Sequence, residues 1–108
     1  KEVAELLLRH KADANLKTTD RDWTPLRYAA QGGRKEVVEV LLAHGARVDE
    51  PGETSGVTPL IQAAATGHAE VVGLLLTEGA AVDRKDKKGR TALARAAPGD
   101  RVLLAPGT

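Results

Sequence analysis

The chain is expected to fold as an all-α solenoid of stacked helix-turn-helix units. Two observations predict this. Residues 24–49 read TPLRYAAQGGRKEVVEVLLAHGARVD, and residues 58–83 read TPLIQAAATGHAEVVGLLLTEGAAVD. Fifteen of the 26 aligned positions are identical, so the chain carries an internal repeat. Within each copy, apolar residues recur at helical spacing between Thr-Pro starts and glycine stops.

Composition bounds the core. The chain has 108 residues, with one Trp, one Tyr and no Phe. That length suits one domain, and a globular chain of this size buries only about two-thirds of its unfolded surface. Stacked repeats evade the limit by burying residues between neighbours. The core must then be Leu, Val and Ala, the last letting helices approach closely. Net charge is +1, which directs the chain to neither nucleic acid nor membrane. There is no cysteine, hence no disulfide framework and no Cys-based zinc site. No apolar run approaches a membrane span, and no signal peptide is visible. An intracellular, cytoplasmic protein is the expectation. The chain begins without Met and in mid-repeat, so further repeats are expected upstream.

Residues 1–10 match the second half of the repeat. Val3, Leu6, Leu7 and His10 fall at i, i+3, i+4 and i+7, the stripe of an amphipathic helix. Lys11 stands where later copies have Gly45 and Gly79. A glycine just past a helix usually turns left-handed, and Lys there would cost roughly 1 kcal/mol. A less regular end is therefore expected. Residues 12–23 form a polar connector. Thr24 then serves as N-cap and Pro25 as first helical residue. A short helix over 26–31 stops at Gly32 and Gly33, and a second runs over 34–44 to Gly45. The cycle repeats: connector 46–57, Thr58 and Pro59, helix 60–66, Gly67, helix 68–78, Gly79. After connector 80–90, Thr91 opens a last copy that decays at Pro98 and Gly99.

Thr-Pro-Leu, Ala-Ala, a Gly break, Glu-Val-Val, Leu-Leu and Gly-Ala-x-Val-Asp together resemble the ankyrin repeat, with its period near 33 residues. The resemblance spans nearly the whole chain: a half repeat over 1–20, full repeats over 21–54 and 55–87, and a degenerate one over 88–108. Two departures stand out. The histidine of the family's TPLH motif is replaced by Arg27, Ile61 and Ala94, which implies looser joints. The first spacing is 34 rather than 33, with the extra residue near Gly52, and the first connector is also one residue long.

The resemblance implies that connectors project as β-hairpin-like fingers and that first helices line a concave face, where partners dock. The implied contacts are Asp20, Arg21 and Trp23 on the first finger. Glu53, Thr54 and Val57 follow on the second, and Lys87, Lys88 and Arg90 on the third. Arg27, Tyr28, Gln31, Ile61 and Ala65 come from the inner helices.

Each candidate has a plainer reading. Trp23 is either an interface anchor or a residue packed on Tyr28 or Val57. The second finger (Arg47, Asp49, Glu50, Glu53) is net −2 and the third (Asp83, Arg84, Lys85, Asp86, Lys87, Lys88, Arg90) net +3. A stepped field of this kind steers charged partners, although exposed turns are usually just solvated. The basic finger lacks aromatics to stack bases, so no nucleic acid is expected. His10 and His44 share a repeat position about 8–10 Å apart, too far to share zinc. They suit helix C-termini, and His68 in the Gly-His break is structural. Asn15 resembles the finger asparagine hydroxylated in some eukaryotic ankyrin proteins, but Asx-turn chemistry explains it more simply.

No catalytic set emerges: no cysteine, no phosphate loop, no HExxH. The chain is expected not to be an enzyme and to take no cofactor or metal. The expected partner is another protein, with no membrane. The alternatives are a spacer in a longer array, or a regulatory arm of a larger enzyme. Two full repeats fall below the three or so needed for independent stability. Marginal stability, or self-association through the bare Val3/Leu6/Leu7 face and the end repeats, is therefore expected.

Overall fold

The structure, a computed structural model, describes residues 2–9 and 13–96. The expectations placed on His10, on Lys11 and on the stretch after Ala97 lie outside the described residues. Six helices follow in order: α1 (Glu2–Arg9), α2 (Pro25–Gln31), α3 (Lys35–Ala43), α4 (Pro59–Ala65), α5 (Ala69–Thr77) and α6 (Ala92–Arg95). Among the described residues there is no strand.

The helix starts have the expected chemistry. Thr24 Oγ1 accepts from Arg27 N, Thr58 Oγ1 from Ile61 N and Thr91 Oγ1 from Ala94 N, each at 3.2 Å. Such caps stabilise by about 1 kcal/mol each. The second helix of each pair has no side-chain cap. Its turn is closed by backbone instead: Arg34 N donates to Ala29 O and His68 N to Ala63 O, both at 3.0 Å. Gly33 (φ 67°) makes the first of these turns possible, and a Cβ there would also meet the His68 ring.

The helices form two rows. α2, α4 and α6 stack in one, α1, α3 and α5 in the other, with α2 paired to α3 and α4 to α5. Burial deepens along the stack. Leu7 is 57% exposed, while its counterparts Leu41 and Leu75 are 5% and 0%. Val3 is 69% exposed and Val71 1%. Small residues line the inner row, where Ala30 and Ala63 are fully buried, and they let α2 and α4 approach closely.

The connectors are hairpin-like turns, each closed by a backbone hydrogen bond across its base: Thr18 N to Trp23 O (2.8 Å), Gly52 N to Val57 O (3.0 Å) and Asp86 N to Arg90 O (2.9 Å). Each finger also bonds to the next, Glu53 N to Arg21 O (3.0 Å) and Lys87 N to Ser55 O (2.9 Å).

The missing histidine does not leave the first joint loose; that expectation is corrected. Arg27 is buried in its place. Its Nη1 lies 2.8 Å from Asp22 Oδ2, and its Nε donates to Gln62 Oε1 at 3.0 Å. Asp22 Oδ1 in turn accepts from Thr54 N (3.1 Å) and Ser55 N (2.9 Å) on the next finger. Gly52 leaves room for that carboxylate, because a Cβ there would overlap it. The second joint is apolar, with Ile61 1% exposed. The third is tied by buried Asp86, which accepts from Arg90 Nε (3.0 Å) and Arg95 Nη1 (3.4 Å).

Burial alone would raise the Asp22 carboxyl, but hydrogen bonds from Ser55 and Arg27 overcome it and hold the group below its ordinary value. Asp86 is likewise lowered: bonds from the Arg90 and Lys88 amides and the Arg90 side chain outweigh burial. A depressed native value stabilises above the ordinary 3.8 and is lost as pH falls through the native value. Asp22→Asn should therefore cost about 2 kcal/mol in urea unfolding at neutral pH. The gap from wild type should shrink as acid protonates Asp22. A gap that stays constant down to acid pH would contradict the ion-pair account.

Candidate interaction surface

Two sets of side chains face outward: the finger tips and the open side of the inner row. Asp20, Arg21, Glu53, Thr54, Lys87 and Lys88 are exposed on the fingers. Tyr28 (52% exposed) and Gln31 are exposed on α2, and Trp23, Ala65 and Arg90 are half-buried. The remaining three of the expected contacts are buried. Arg27, Val57 and Ile61 are 7%, 5% and 1% exposed, because the next repeat packs over them. They position the surface rather than belong to it.

The aromatic pair sits where the first finger meets α2. Trp23 stacks on Tyr28, with ring centroids 4.6 Å apart and planes inclined by 29°. The Arg27 guanidinium carbon lies 3.7 Å from the Trp23 ring centroid, a cation–π contact. Trp23 therefore packs on Tyr28, and Arg27 ties this shelf to the buried joint. The sequence signal for Arg27 was its place in the motif; Asp22, its partner, was overlooked. Asp22 stands where the other fingers have Gly56 and Gly89.

Electrostatics divide the fingers. Lys17 lies 2.8 Å from Glu50 and 3.8 Å from Glu53, and Arg47 lies 3.3 Å from Glu50. The Lys17 ammonium, hydrogen-bonded to Glu50, holds that carboxyl below its ordinary value despite burial. On the first finger, the Thr18 hydroxyl and the Asp22 amide lower Asp20. On the third, Arg90 and Arg95 share Asp86, and Lys87 Nζ donates to the Glu53 carbonyl.

Asn15 is structural. Its Nδ2 donates to Gly45 O (2.9 Å), and its Oδ1 accepts from Arg47 N (2.7 Å) in the next repeat. Asp49 does the same one repeat on, accepting from Ala81 N at 3.2 Å. His68 Nε2 lies 2.8 Å from Gln31 O and braces the break between helices. His44 is exposed at the end of α3. Among the described residues, no cluster of His, Asp or Glu is placed to hold a metal, and no helix is long and apolar enough to cross a membrane.

One feature adjoins the apolar face expected on α1. An apolar cleft of about 400 Å³ lies between α1 and the α2–α3 pair, lined by Leu7, Leu8, Pro25, Tyr28, Ala29 and Leu41. One repeat on, the counterparts Leu41, Pro59, Ala63 and Leu75 are buried, because α2 stacks against α4 there.

Paired short helices stacked in two rows, with capped starts and glycine breaks, define a helical repeat protein. A family model described as ankyrin repeats in three copies matches residues 1–52 and 49–104, and the chain belongs to that family. Ankyrin repeats are in general protein–protein interaction modules. No curated protein matches the chain.

The shelf yields a stability contrast. Tyr28→Ala removes a half-exposed ring and should cost about 1 kcal/mol. Trp23→Ala also removes the surface that Arg27 covers and should cost about 2–3 kcal/mol. Equal costs in urea unfolding would mean that Arg27 gains nothing from the indole.

Proposed function

We propose that the full repeats, 21–54 and 55–87, form a protein-binding module. It engages its partner through the finger tips and the exposed side of the inner row, around Trp23, Tyr28, Gln31 and Ala65. One observation supports this reading above the others. Several positions shared by the repeats are buried in both copies, such as Leu26 and Leu60, each 1% exposed, and Leu41 and Leu75. Outward positions differ: Tyr28 against Gln62, and Gln31 against Ala65. A spacer has no use for a half-exposed tyrosine stacked on the chain's one tryptophan.

Affinity capture from source cells with wild type, Tyr28→Ala/Gln31→Ala and an outer-row control, Glu36→Ala/Glu39→Ala, tests the reading. The inner-row pair should weaken capture about tenfold or more, while the control retains it. Retention by both variants would favour a spacer, or a regulatory arm that binds elsewhere.

A second reading, self-association, is supported by α1. Val3, Leu6 and Leu7 are 69%, 54% and 57% exposed beside the apolar cleft. The apparent mass in sedimentation should rise with concentration, and Leu7→Lys should abolish the rise. A wild-type chain that stays monomeric at high concentration removes this reading.

A further inference from the structure

The second and third fingers carry opposite formal charge, but the structure neutralises only one of them. Glu50 has two cationic partners, Lys17 and Arg47, and Glu53 has Lys17. On the third finger, Asp86 is taken up by Arg90 and Arg95. That leaves Arg84, Lys85, Lys87 and Lys88, all exposed. Among the described residues, none of the four has a carboxylate within ion-pair reach. Lys87 Nζ donates to the neutral Glu53 carbonyl. The exposed Asp83 is the one acid left to offset them on this finger.

Three of these cations border a groove. It has a volume of about 540 Å³ and is lined by Arg84, Lys85 and Lys87, by Pro51, Gly52 and Glu53, and by the ion-paired Lys17, Glu50 and Asp86. Pro51 is half-buried at its edge, and the volume is enough for an extended backbone segment. Arg84 offers a planar fork matched to a carboxylate.

We propose that this groove docks an acidic, extended peptide segment of a partner protein, its carboxylates paired with Arg84 and Lys85. This rests on the reading of the chain as a protein-binding module and specifies the partner's chemistry. Nucleic acid fits less well. Single strands are held by aromatic stacking, and the chain's aromatics, Trp23 and Tyr28, stack on each other at the first finger and α2. Net charge is only +1, so the field is local to the third finger.

The test is fluorescence anisotropy on the purified chain. The probes are a labelled peptide of alternating glutamate and glycine, its lysine–glycine counterpart, and single-stranded oligo-dT of similar length. Wild type should bind the acidic peptide, more weakly as salt rises, and should ignore the basic one. Arg84→Glu/Lys85→Glu should weaken binding about tenfold. Arg34→Glu/Lys35→Glu, which changes net charge equally but lies at the start of α3, should leave binding unchanged. Circular dichroism confirms that both variants fold. Equal weakening by both would reduce the effect to net charge and overturn the site. Tighter binding of oligo-dT than of the acidic peptide would overturn the partner class. A chain that captures a partner through Tyr28 and Gln31 but ignores the acidic peptide overturns this inference alone.

Discussion

Helices of seven to nine residues do not hold their shape alone in water. Nucleation is costly, and isolated helices shorter than about 12–15 residues are marginal. The inner helices α2 and α4 have seven residues each, and the outer α3 and α5 have nine. Each is held by what it buries against its neighbours. The gradient from Leu7 (57% exposed) through Leu41 (5%) to Leu75 (0%) shows this directly, because the same side chain is covered only where the flanking helices are present. Caps and glycine turns set the geometry, but stacking supplies the energy. It follows that the joints between repeats are the decisive elements.

Those joints meet the loss of the motif histidine in two ways, by Asp–Arg ion pairs at the first and third and by apolar packing at the second. Arg27 spans from Asp22 to Gln62 and so links the first finger to α4. Ile61 fills the second joint with apolar contact. At the third, where Ala94 offers no polar group, Asp86 draws in Arg90 and Arg95. A histidine is therefore one solution among several to a common requirement. Something must satisfy the finger's backbone and hold it against the next helix. A buried ion pair is a weak source of net stability, but breaking one side of it is costly. The first and third joints are accordingly intolerant of single changes and depend on pH, while the second should not.

Much of this was legible in the sequence, for identifiable reasons. Thr24, Pro25, Gly45, Thr58, Pro59 and Gly79 punctuate the chain, and the helix bounds read from them agree with the structure to within one residue. The candidate surface was less legible. Arg27, Val57 and Ile61 looked like contacts because they occupy finger and inner-helix positions. Their burial depends on a neighbour's packing, which no local pattern records. The Asp22–Arg27 pair had a readable sign, an aspartate in a glycine position five residues before an arginine in a histidine position. The balance of finger charge had none. Lys17 neutralises Glu50 across 33 residues of sequence, so a sum over each finger alone misstates the field.

The first joint and the proposed surface share one residue. Arg27 holds the Asp22 carboxylate within the joint and stands 3.7 Å from the Trp23 ring, on which exposed Tyr28 stacks. The surface is thus an extension of the joint. An aromatic shelf backed by a buried, ion-paired guanidinium loses little side-chain freedom when a partner presses on it, which lowers the entropic cost of binding. The same arrangement makes the shelf sensitive to the packing behind it. Loosening the joint should disorder Trp23 and Tyr28 before it unfolds the stack. Stability and recognition are therefore coupled at the first repeat, whereas at the third finger the four exposed cations sit apart from the ion pair that holds the turn. One end of the surface is packed and aromatic; the other is exposed and charged. Such a division suits a partner that anchors by shape at one point and is guided by charge at the other.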